Sequence, residues 1–285
     1  MTTADRVLLV TGTSTGIGQA TAVRAAAAGW RVVATMRDPS RQEALDDPAI
    51  EVVPLDVTDE DSVAACFEAV RRTHGRLDAV VNNAGISNFD PTMEMSTLAA
   101  LRTALEVNFV GMVAVSRLAM PLLRASRGRL VSIGSVHGVV GQPFNEAYAA
   151  AKFAVEGFLE SLAPTAAGMG VTVVIVEPGP VLHTSFASNS GVTRESLLIE
   201  AGPYADVLRP YLEWVVRTGY PGVQTAKEVA EIVVRALTDP DPAFRIATSD
   251  WVREYAAIKY ADPDGSVVQA LTRSWLVPVE PSPFD

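Results

Sequence analysis

The chain has 285 residues, of which 48% are apolar and 20% charged, and it contains one cysteine. This composition is typical of a globular chain with a large core, and the length favours one α/β domain over residues 1–285. The net charge of −10 argues against a nucleic-acid surface, which needs clustered Lys and Arg. Cys66 allows no internal disulfide and is expected in the core.

The chain enters its first apolar strand without a basic-then-apolar leader. No apolar run in the sequence is expected to reach the ~18 residues that a membrane span needs. We therefore expect a cytoplasmic protein with no membrane span and no nucleic-acid partner. The three histidines and the cysteine show no spacing typical of a metal site.

The first predicted strand, Arg6–Thr11, leads into a glycine-rich turn and then a helix from about Gln19 to Ala28. Strand, glycine turn and helix in this order form a phosphate cradle, because glycine permits close approach and a helix N-terminus offers free N–H groups. The alternative is a glycine turn without a ligand. The expected cofactor contacts are Gly12, Ser14, Thr15, Gly16, Ile17 and Gly18.

A second strand, Arg31–Met36, ends where dinucleotide folds place the residue that selects the cofactor. An acidic residue there holds the ribose hydroxyls, whereas an arginine suits a 2′-phosphate. Arg37 follows the strand directly, so we expect a preference for NADP(H). Asp38 leaves NAD(H) possible, and Arg37 could also be an ordinary surface residue.

Two further strands, Ile50–Leu55 and Ala79–Val81, are followed by polar or small residues. Cofactors bind at the carboxyl edge of open α/β sheets, so these residues are candidate contacts. They are Asp56, which could meet an adenine, with Val57, and then Asn83, Ala84 and Gly85. A long helix, Thr97–Ser126, carries Asn108 in its apolar middle, where an amide is either satisfied in place or functional.

The strongest catalytic signal follows a fifth strand, Arg129–Ile133. Tyr148 and Lys152 are four residues apart in a predicted helix, Phe144–Ala163, so they share one face. A cation beside a phenol lowers the pKa of the phenol, which suits an acid/base for an alcohol or carbonyl. The Ser135 hydroxyl could bond the same substrate oxygen.

The same spacing occurs again at Tyr255 and Lys259, which lack an upstream strand and small polar residue. We interpret this second pair as an ordinary solvated helix face. His137 and His183 could face the substrate, or be incidental polar residues.

A sixth strand, Val171–Glu177, precedes Pro178 and Gly179. Residues 183–224 fit neither helix nor strand period, and we interpret them as a substrate lid that includes Phe186. A helix with a capping box at Thr225 and a seventh strand, Phe244–Ala247, follow. The tail, residues 277–285, is expected to be extended.

Taken together, these motifs resemble the classical short-chain dehydrogenase/reductase family over roughly residues 6–185. The matching motifs are Thr11-Gly12-x-x-x-Gly16-x-Gly18, Asn83-Ala84-Gly85, Asn108, Ser135, Tyr148-x-x-x-Lys152 and Pro178-Gly179. The resemblance implies a Rossmann-type, doubly wound parallel sheet of about seven strands with helices on both faces.

The resemblance also implies roles for four residues. Asn108 would hold a proton-relay water, Ser135 would orient the carbonyl, and Tyr148 would be the acid/base. Lys152 would grip the nicotinamide ribose and lower the pKa of Tyr148. Pro178, Gly179 and Val181 would contact the cofactor and Thr184 its nicotinamide amide, with one extra residue before Thr184 relative to the family pattern.

Thr-Met-Arg-Asp after the second strand and Glu-Pro-Gly-Pro-Val after the sixth resemble the branch of 17β-hydroxysteroid and retinol dehydrogenases. That branch implies an apolar alcohol or ketone substrate and a preference for NADP(H). The long helices around Asn108 and Tyr148 resemble the family's dimer-forming pair, so a homodimer or homotetramer is expected. Pro164 predicts a kink in the catalytic helix, downstream of Lys152.

The sequence therefore predicts an oxidoreductase that moves hydride between NADP(H) and a secondary alcohol or ketone. Three alternatives stay open: an NAD(H)-dependent alcohol dehydrogenase, an epimerase on the same scaffold, and a non-catalytic NADP-binding regulator. The regulator would bind cofactor without turnover.

Overall fold

The computed structural model describes residues 6–41, 45–87, 92–182, 193–219 and 221–278. The strands are β1 Val7–Thr11, β2 Arg31–Met36, β3 Ile50–Pro54, β4 Ala79–Asn82, β5 Arg129–Ile133, β6 Thr172–Glu177, β7 Val181–Leu182, β8 Gln224–Thr225 and β9 Arg245–Ala247. Seven of them form a central parallel sheet with the strand order β3-β2-β1-β4-β5-β6-β9. A separate parallel pair joins β7 to β8.

Helices cover both faces of the sheet. They are α1 Gly16–Ala27, α2 Glu60–His74, α3 Leu98–Leu105, α4 Gly111–Ser126, α5 Glu146–Gly168, α6 Arg194–Glu200, α7 Ala205–Thr218, α8 Ala226–Thr238, α9 Asp250–Tyr260 and α10 Ser266–Ser274. The expected doubly wound, seven-stranded architecture is confirmed.

Continuous apolar runs explain the central position of the sheet. Every residue of β1 is buried, because helices pack on both sides of the strand. One core joins the sheet to α2, α4 and α5, and the other joins it to α1 and α8. Cys66 lies buried in the first core, as expected.

The order of the strands reverses between β1 and β4, which are hydrogen-bonded neighbours. The loops that leave these two strands at their carboxyl ends diverge, and the resulting crevice is where open α/β sheets bind ligands. The glycine turn follows β1 and the Asn83 segment follows β4. The fold therefore brings two of the predicted motifs together.

The predicted strands agree with the structure to within one residue at each end, whereas several helices do not. The segment 183–224 was expected to have no clear period, yet it contains α6 and α7. Leu208, Tyr211, Leu212 and Val215 have helical spacing, which Pro210 inside the helix obscured. Helix α5 continues through Pro164 to Gly168 and does not end at Ala163, and exposure of Pro164 leaves the freed carbonyl to water.

A five-residue π-helical turn, Glu106–Val110, joins α3 to α4. By length and composition the whole run, Leu98–Ser126, could span a membrane, with a mean hydropathy of 1.5 in its most apolar window. The expectation that no apolar run is long enough was therefore wrong. One face of the run packs in the core through Met112, Val115, Ala119 and Leu123, and 28% of the most apolar window is buried.

Candidate active site

A cavity of about 1080 Å³ opens at the carboxyl edge of the sheet. It gathers most of the residues predicted from the sequence. Those that line it are Gly12, Ser14, Thr15, Gly16, Ile17, Arg37, Asp56, Val57, Asn83, Ala84, Gly85, Ser135, His137, Tyr148, Lys152, Pro178, Gly179 and Val181. Gly18 and Asn108 lie behind this lining, whereas His183, Thr184 and Phe186 fall outside the described residues.

The glycine turn is packed so tightly that two of its positions exclude a side chain. Gly12 has φ +70°, and a Cβ there would lie 2.8 Å from the Cα of Ala84. A Cβ at Gly18 would lie 2.3 Å from the carbonyl oxygen of Gly12. Asn83 fixes the turn from the other side, because its Nδ2 donates to the carbonyls of Thr11 and Gly12.

Helix α1 begins in this turn with its first N–H groups free of side-chain caps. Its N-cap, Thr15, makes no side-chain capping bond, and the first turn contains no acidic residue. By contrast, Asp59 caps α2 and accepts from two backbone N–H groups. An uncapped N-terminus beside a close-packed glycine turn fits the pyrophosphate of a dinucleotide.

The cofactor-selecting position after β2 presents a cation to the cavity. Arg37 lines the cavity, whereas Asp38 does not. The Asp38 carboxylate accepts from the backbone N–H and the hydroxyl of Ser40, at 3.0 and 2.7 Å. After the neighbouring strand β3, hydrogen bonds from Thr58 lower the pKa of Asp56, and the charge of Arg37 adds to the effect.

The π-helical turn holds Asn108 against the segment that follows β4. Its Nδ2 donates to the carbonyls of Ala104 and Ile86, and its Oδ1 accepts from the N–H of Ile86 at 3.0 Å. The amide is therefore satisfied in place. Because both amide N–H groups are used, only one oxygen lone pair is left for the relay water that the resemblance implied.

Ser135, Tyr148 and Lys152 meet in a buried group beneath the cavity. Ser135 opens a 3-10 turn after β5, where its Oγ accepts from the N–H of His137 at 3.1 Å, and it also hydrogen-bonds the Tyr148 side chain. Lys152 donates to the carbonyl of Ile133 at 2.8 Å, and its Nζ lies 5.7 Å from the Tyr148 ring centre. Helix α5 thus places both residues as the spacing predicted.

Burial has the largest effect on the pKa values of Tyr148 and Lys152. It raises the pKa of Tyr148 to about 12, although the hydrogen bond with Ser135 acts in the opposite direction. It lowers the pKa of Lys152 to about 8, against the attraction of Glu156. Tyr148 is therefore a neutral phenol ready to donate a proton, and the expected lowering of its pKa by Lys152 stays a prediction.

His137 adds a neutral imidazole beside Tyr148. Their ring centres are 6.3 Å apart, with an edge-to-face orientation. Burial lowers the pKa of His137 to about 4, so the ring is uncharged at neutral pH. Its Nδ1 is buried without a hydrogen-bond partner among the described residues.

The far end of the cavity is an aromatic wall, which the sequence indicated only in part. Its six rings touch in sequence with centre-to-centre distances between 4.5 and 6.2 Å. They are Phe144, Tyr211, Trp214, Trp275, Tyr255 and Trp251. Helix α9 supplies two of these rings and the residue after α10 supplies a third, all from beyond the matched motifs.

Tyr255 corrects the earlier interpretation of a solvated helix face. It is buried, because β9 pairs with β6 and brings α9 over the turn that follows Ser135. The apolar spacing of Val252, Tyr255 and Ala256 was the signal that could have shown this.

Comparison with known proteins agrees with this geometry. The profile of the short chain dehydrogenase family matches residues 6–194. Retinol dehydrogenase 8 from Bos taurus is 33% identical over 287 aligned positions, which cover 94% of this chain and 89% of that protein. The human 17-beta-hydroxysteroid dehydrogenase type 1 is 36% identical, with 92% of this chain and 83% of that protein covered.

Solved structures show the same fold. A short-chain dehydrogenase from Streptomyces avermitilis superposes with a TM-score of 0.75 at 26% identity, covering 94% of this chain and 97% of that one. A short chain dehydrogenase from Burkholderia cenocepacia, crystallised with NADP, gives 0.74 at 24% identity, covering 98% and 100%. The chain belongs to the short-chain dehydrogenase family of NAD(P)-dependent oxidoreductases that act on alcohol and ketone groups, in the branch of the steroid and retinol dehydrogenases.

Proposed function

We propose that the protein is an NADP(H)-preferring reductase that interconverts a ketone and a secondary alcohol on an apolar, ring-containing substrate. The observation that carries this proposal is the buried group of Ser135, Tyr148 and Lys152 in the same cavity as the glycine turn. The nicotinamide supplies or accepts the hydride. The protein supplies the proton and holds the reacting oxygen.

The proton step follows from the charges of the group. Tyr148, protonated at neutral pH, donates to the oxygen of the ketone as it becomes an alkoxide. Ser135 hydrogen-bonds the same oxygen and aligns it. The Lys152 ammonium stabilises the phenolate that Tyr148 leaves behind, since an opposite charge favours the ionised phenol.

Lys152 makes this chemistry dependent on pH. Its pKa is lowered to about 8, so the ammonium is present below that pH and lost above it, while Tyr148 keeps its proton. Because kcat/KM reports the free enzyme, we expect kcat/KM for ketone reduction to fall above about pH 8. Lys152→Arg, which stays charged, should lower activity and remove this break. A wild-type profile that is flat to about pH 10 contradicts the assignment.

The proposed preference for NADP(H) rests on the two side chains that follow β2, because Arg37 lines the cavity and Asp38 does not. Arg37 can bind a 2′-phosphate with its guanidinium fork, whereas the carboxylate of Asp38 is engaged with Ser40. The ribose hydroxyls of NAD(H) would need a carboxylate at this point.

Replacing Arg37 by Ala tests the preference. Charge-assisted hydrogen bonds contribute ~1.5–3 kcal/mol, so we expect NADPH affinity to fall ~10- to 100-fold while NADH affinity stays unchanged. Fluorescence titration at fixed ionic strength measures both. Arg31→Ala is the control, because Arg31 is an exposed arginine at the opposite end of the same strand. Equal NADH and NADPH affinities in the wild type would instead support the NAD(H) alternative.

The substrate class follows from the aromatic wall and from α6 and α7. Leu197, Leu208 and Leu212 of these helices line the cavity together with the rings, which supports a lid over an apolar substrate. The names of two relatives, a retinol dehydrogenase and a hydroxysteroid dehydrogenase, support steroid-, retinoid- or polyketide-like compounds.

The homodimer or homotetramer expected from the family resemblance stays a prediction. Val110 and Phe153, on the two long helices around the site, are 42% and 41% exposed, which agrees with an apolar interface. Light scattering without detergent would test the association, and cell fractionation would test the expected cytoplasmic location against membrane attachment through Leu98–Ser126.

A further inference from the structure

One buried tyrosine in the aromatic wall has an unused hydroxyl. Tyr255 is only 5% exposed, and its OH has no hydrogen-bond partner among the described residues. Buried tyrosine hydroxyls usually have a partner, because leaving one unpaired costs its lost hydration. The missing partner therefore needs an explanation.

The other described tyrosines differ in this respect. Tyr148 is hydrogen-bonded with Ser135, Tyr204 donates to Glu94 at 2.5 Å, and Tyr211 bonds Gln142. Tyr260, on the same helix as Tyr255, is 63% exposed and has water available. The unpaired hydroxyl is thus specific to Tyr255, which lines the substrate end of the cavity.

The surroundings of Tyr255 restrict what can pair with it. Its ring stacks on Trp251 at 5.1 Å and lies 6.2 Å from Trp275, within a cluster of apolar side chains. The described side chains that pack with Tyr255 in this cluster are apolar or aromatic. A carboxylate or phosphate buried there would lose its hydration without an opposite charge, so the chemistry favours a neutral hydroxyl or carbonyl group.

We propose that Tyr255 is a specificity-determining residue whose hydroxyl binds a second, neutral oxygen of a ring-shaped substrate. This inference rests on the proposed function, because it takes the reacting oxygen to be held by Ser135 and Tyr148. Tyr148 is paired with Ser135, whereas Tyr255 belongs to the aromatic wall, so we assign the two tyrosines to different groups of one molecule. The preferred substrate therefore carries a hydroxyl or carbonyl in addition to the one that reacts.

Matched ketones and a conservative variant test the proposal. One pair is 6-hydroxy-1-tetralone and 1-tetralone, and the other is 3-hydroxyandrostan-17-one and androstan-17-one. Binding to the NADP⁺-saturated protein is followed by the fluorescence of Trp214, Trp251 and Trp275, which needs no turnover. Tyr255→Phe removes only the hydroxyl, and Tyr260→Phe is the control from the same helix.

In the wild type and in Tyr260→Phe, we expect at least one hydroxylated ketone to bind tenfold or more tightly than its partner. In Tyr255→Phe the two affinities become equal, because the hydroxylated ketone loses its hydrogen bond to Tyr255 and the unhydroxylated ketone never made one. The melting temperature of unliganded Tyr255→Phe should equal or exceed that of wild type, since an unpaired buried hydroxyl is removed.

Two results would overturn the proposal: a preference that survives in Tyr255→Phe, or a wild type that does not distinguish the members of either pair. Consumption of NADPH is measured separately on the same ketones. A binding preference that depends on Tyr255, found without turnover, would contradict the proposed reaction and support the role of Tyr255. Turnover without such a preference would support the reaction and contradict the role of Tyr255.

Discussion

Tyr148→Phe is expected to lower kcat for ketone reduction by ~10²- to 10⁴-fold, the contribution typical of a positioned general acid. The variant keeps the ring that packs beside His137 and under Lys152, and it removes only the proton donor. Binding of NADPH should therefore stay within about twofold of wild type. Steady-state kinetics and fluorescence titration of the same preparations separate the two effects.

Tyr260→Phe is the matched control, since Tyr260 is an exposed tyrosine outside the cavity lining. It should retain wild-type kcat. If Tyr148→Phe turned over ketones as fast as the wild type, Tyr148 would not be the acid. If neither protein turned over any ketone while both bound NADPH, the non-catalytic regulator would be the better account.

Gly18→Ala is expected to weaken cofactor binding strongly. The added methyl group would lie 2.3 Å from the carbonyl oxygen of Gly12, so the glycine turn and the start of α1 must move apart. Overpacking of this kind costs ~1–3 kcal/mol. Because the turn must keep its present shape to bind the cofactor, this cost lowers the affinity for NADPH ~10- to 100-fold. Isothermal titration calorimetry measures the change.

Gly157→Ala provides the control within the same chain. Gly157 lies inside α5, and a Cβ there meets nothing within 4 Å. Because glycine is less favourable than alanine in a helix by ~0.8–1 kcal/mol, this change should stabilise the fold and leave NADPH affinity unaltered. Unchanged affinity in Gly18→Ala would show that the turn does not hold the pyrophosphate.

The sequence was most informative where the chemistry depends on neighbours along the chain. The glycine turn, the Tyr148–Lys152 spacing and the position of Arg37 are local patterns, and the structure places all of them at one cavity. Parallel strands made their convergence predictable, because the loops that follow such strands meet at one edge of the sheet.

The parts that could not be predicted depend on distant contacts. Tyr255 enters the cavity because β9 pairs with β6, a contact between residues about seventy positions apart. The protonation of Tyr148 depends on how completely the surrounding residues bury it, which spacing along α5 cannot indicate. Pro210 concealed α7 for a related reason, since tertiary packing overrides local propensity.

Transfer of deuterium from NADPH labelled at C4 of the nicotinamide tests hydride transfer most directly. Wild-type protein would be incubated with labelled NADPH and cyclic ketones of two, three and four fused rings, and the products analysed by mass spectrometry. We predict one deuterium on the carbinol carbon of at least one product, and its near-complete loss in Tyr148→Phe. Tight NADPH binding with no deuterium in any product would contradict the account.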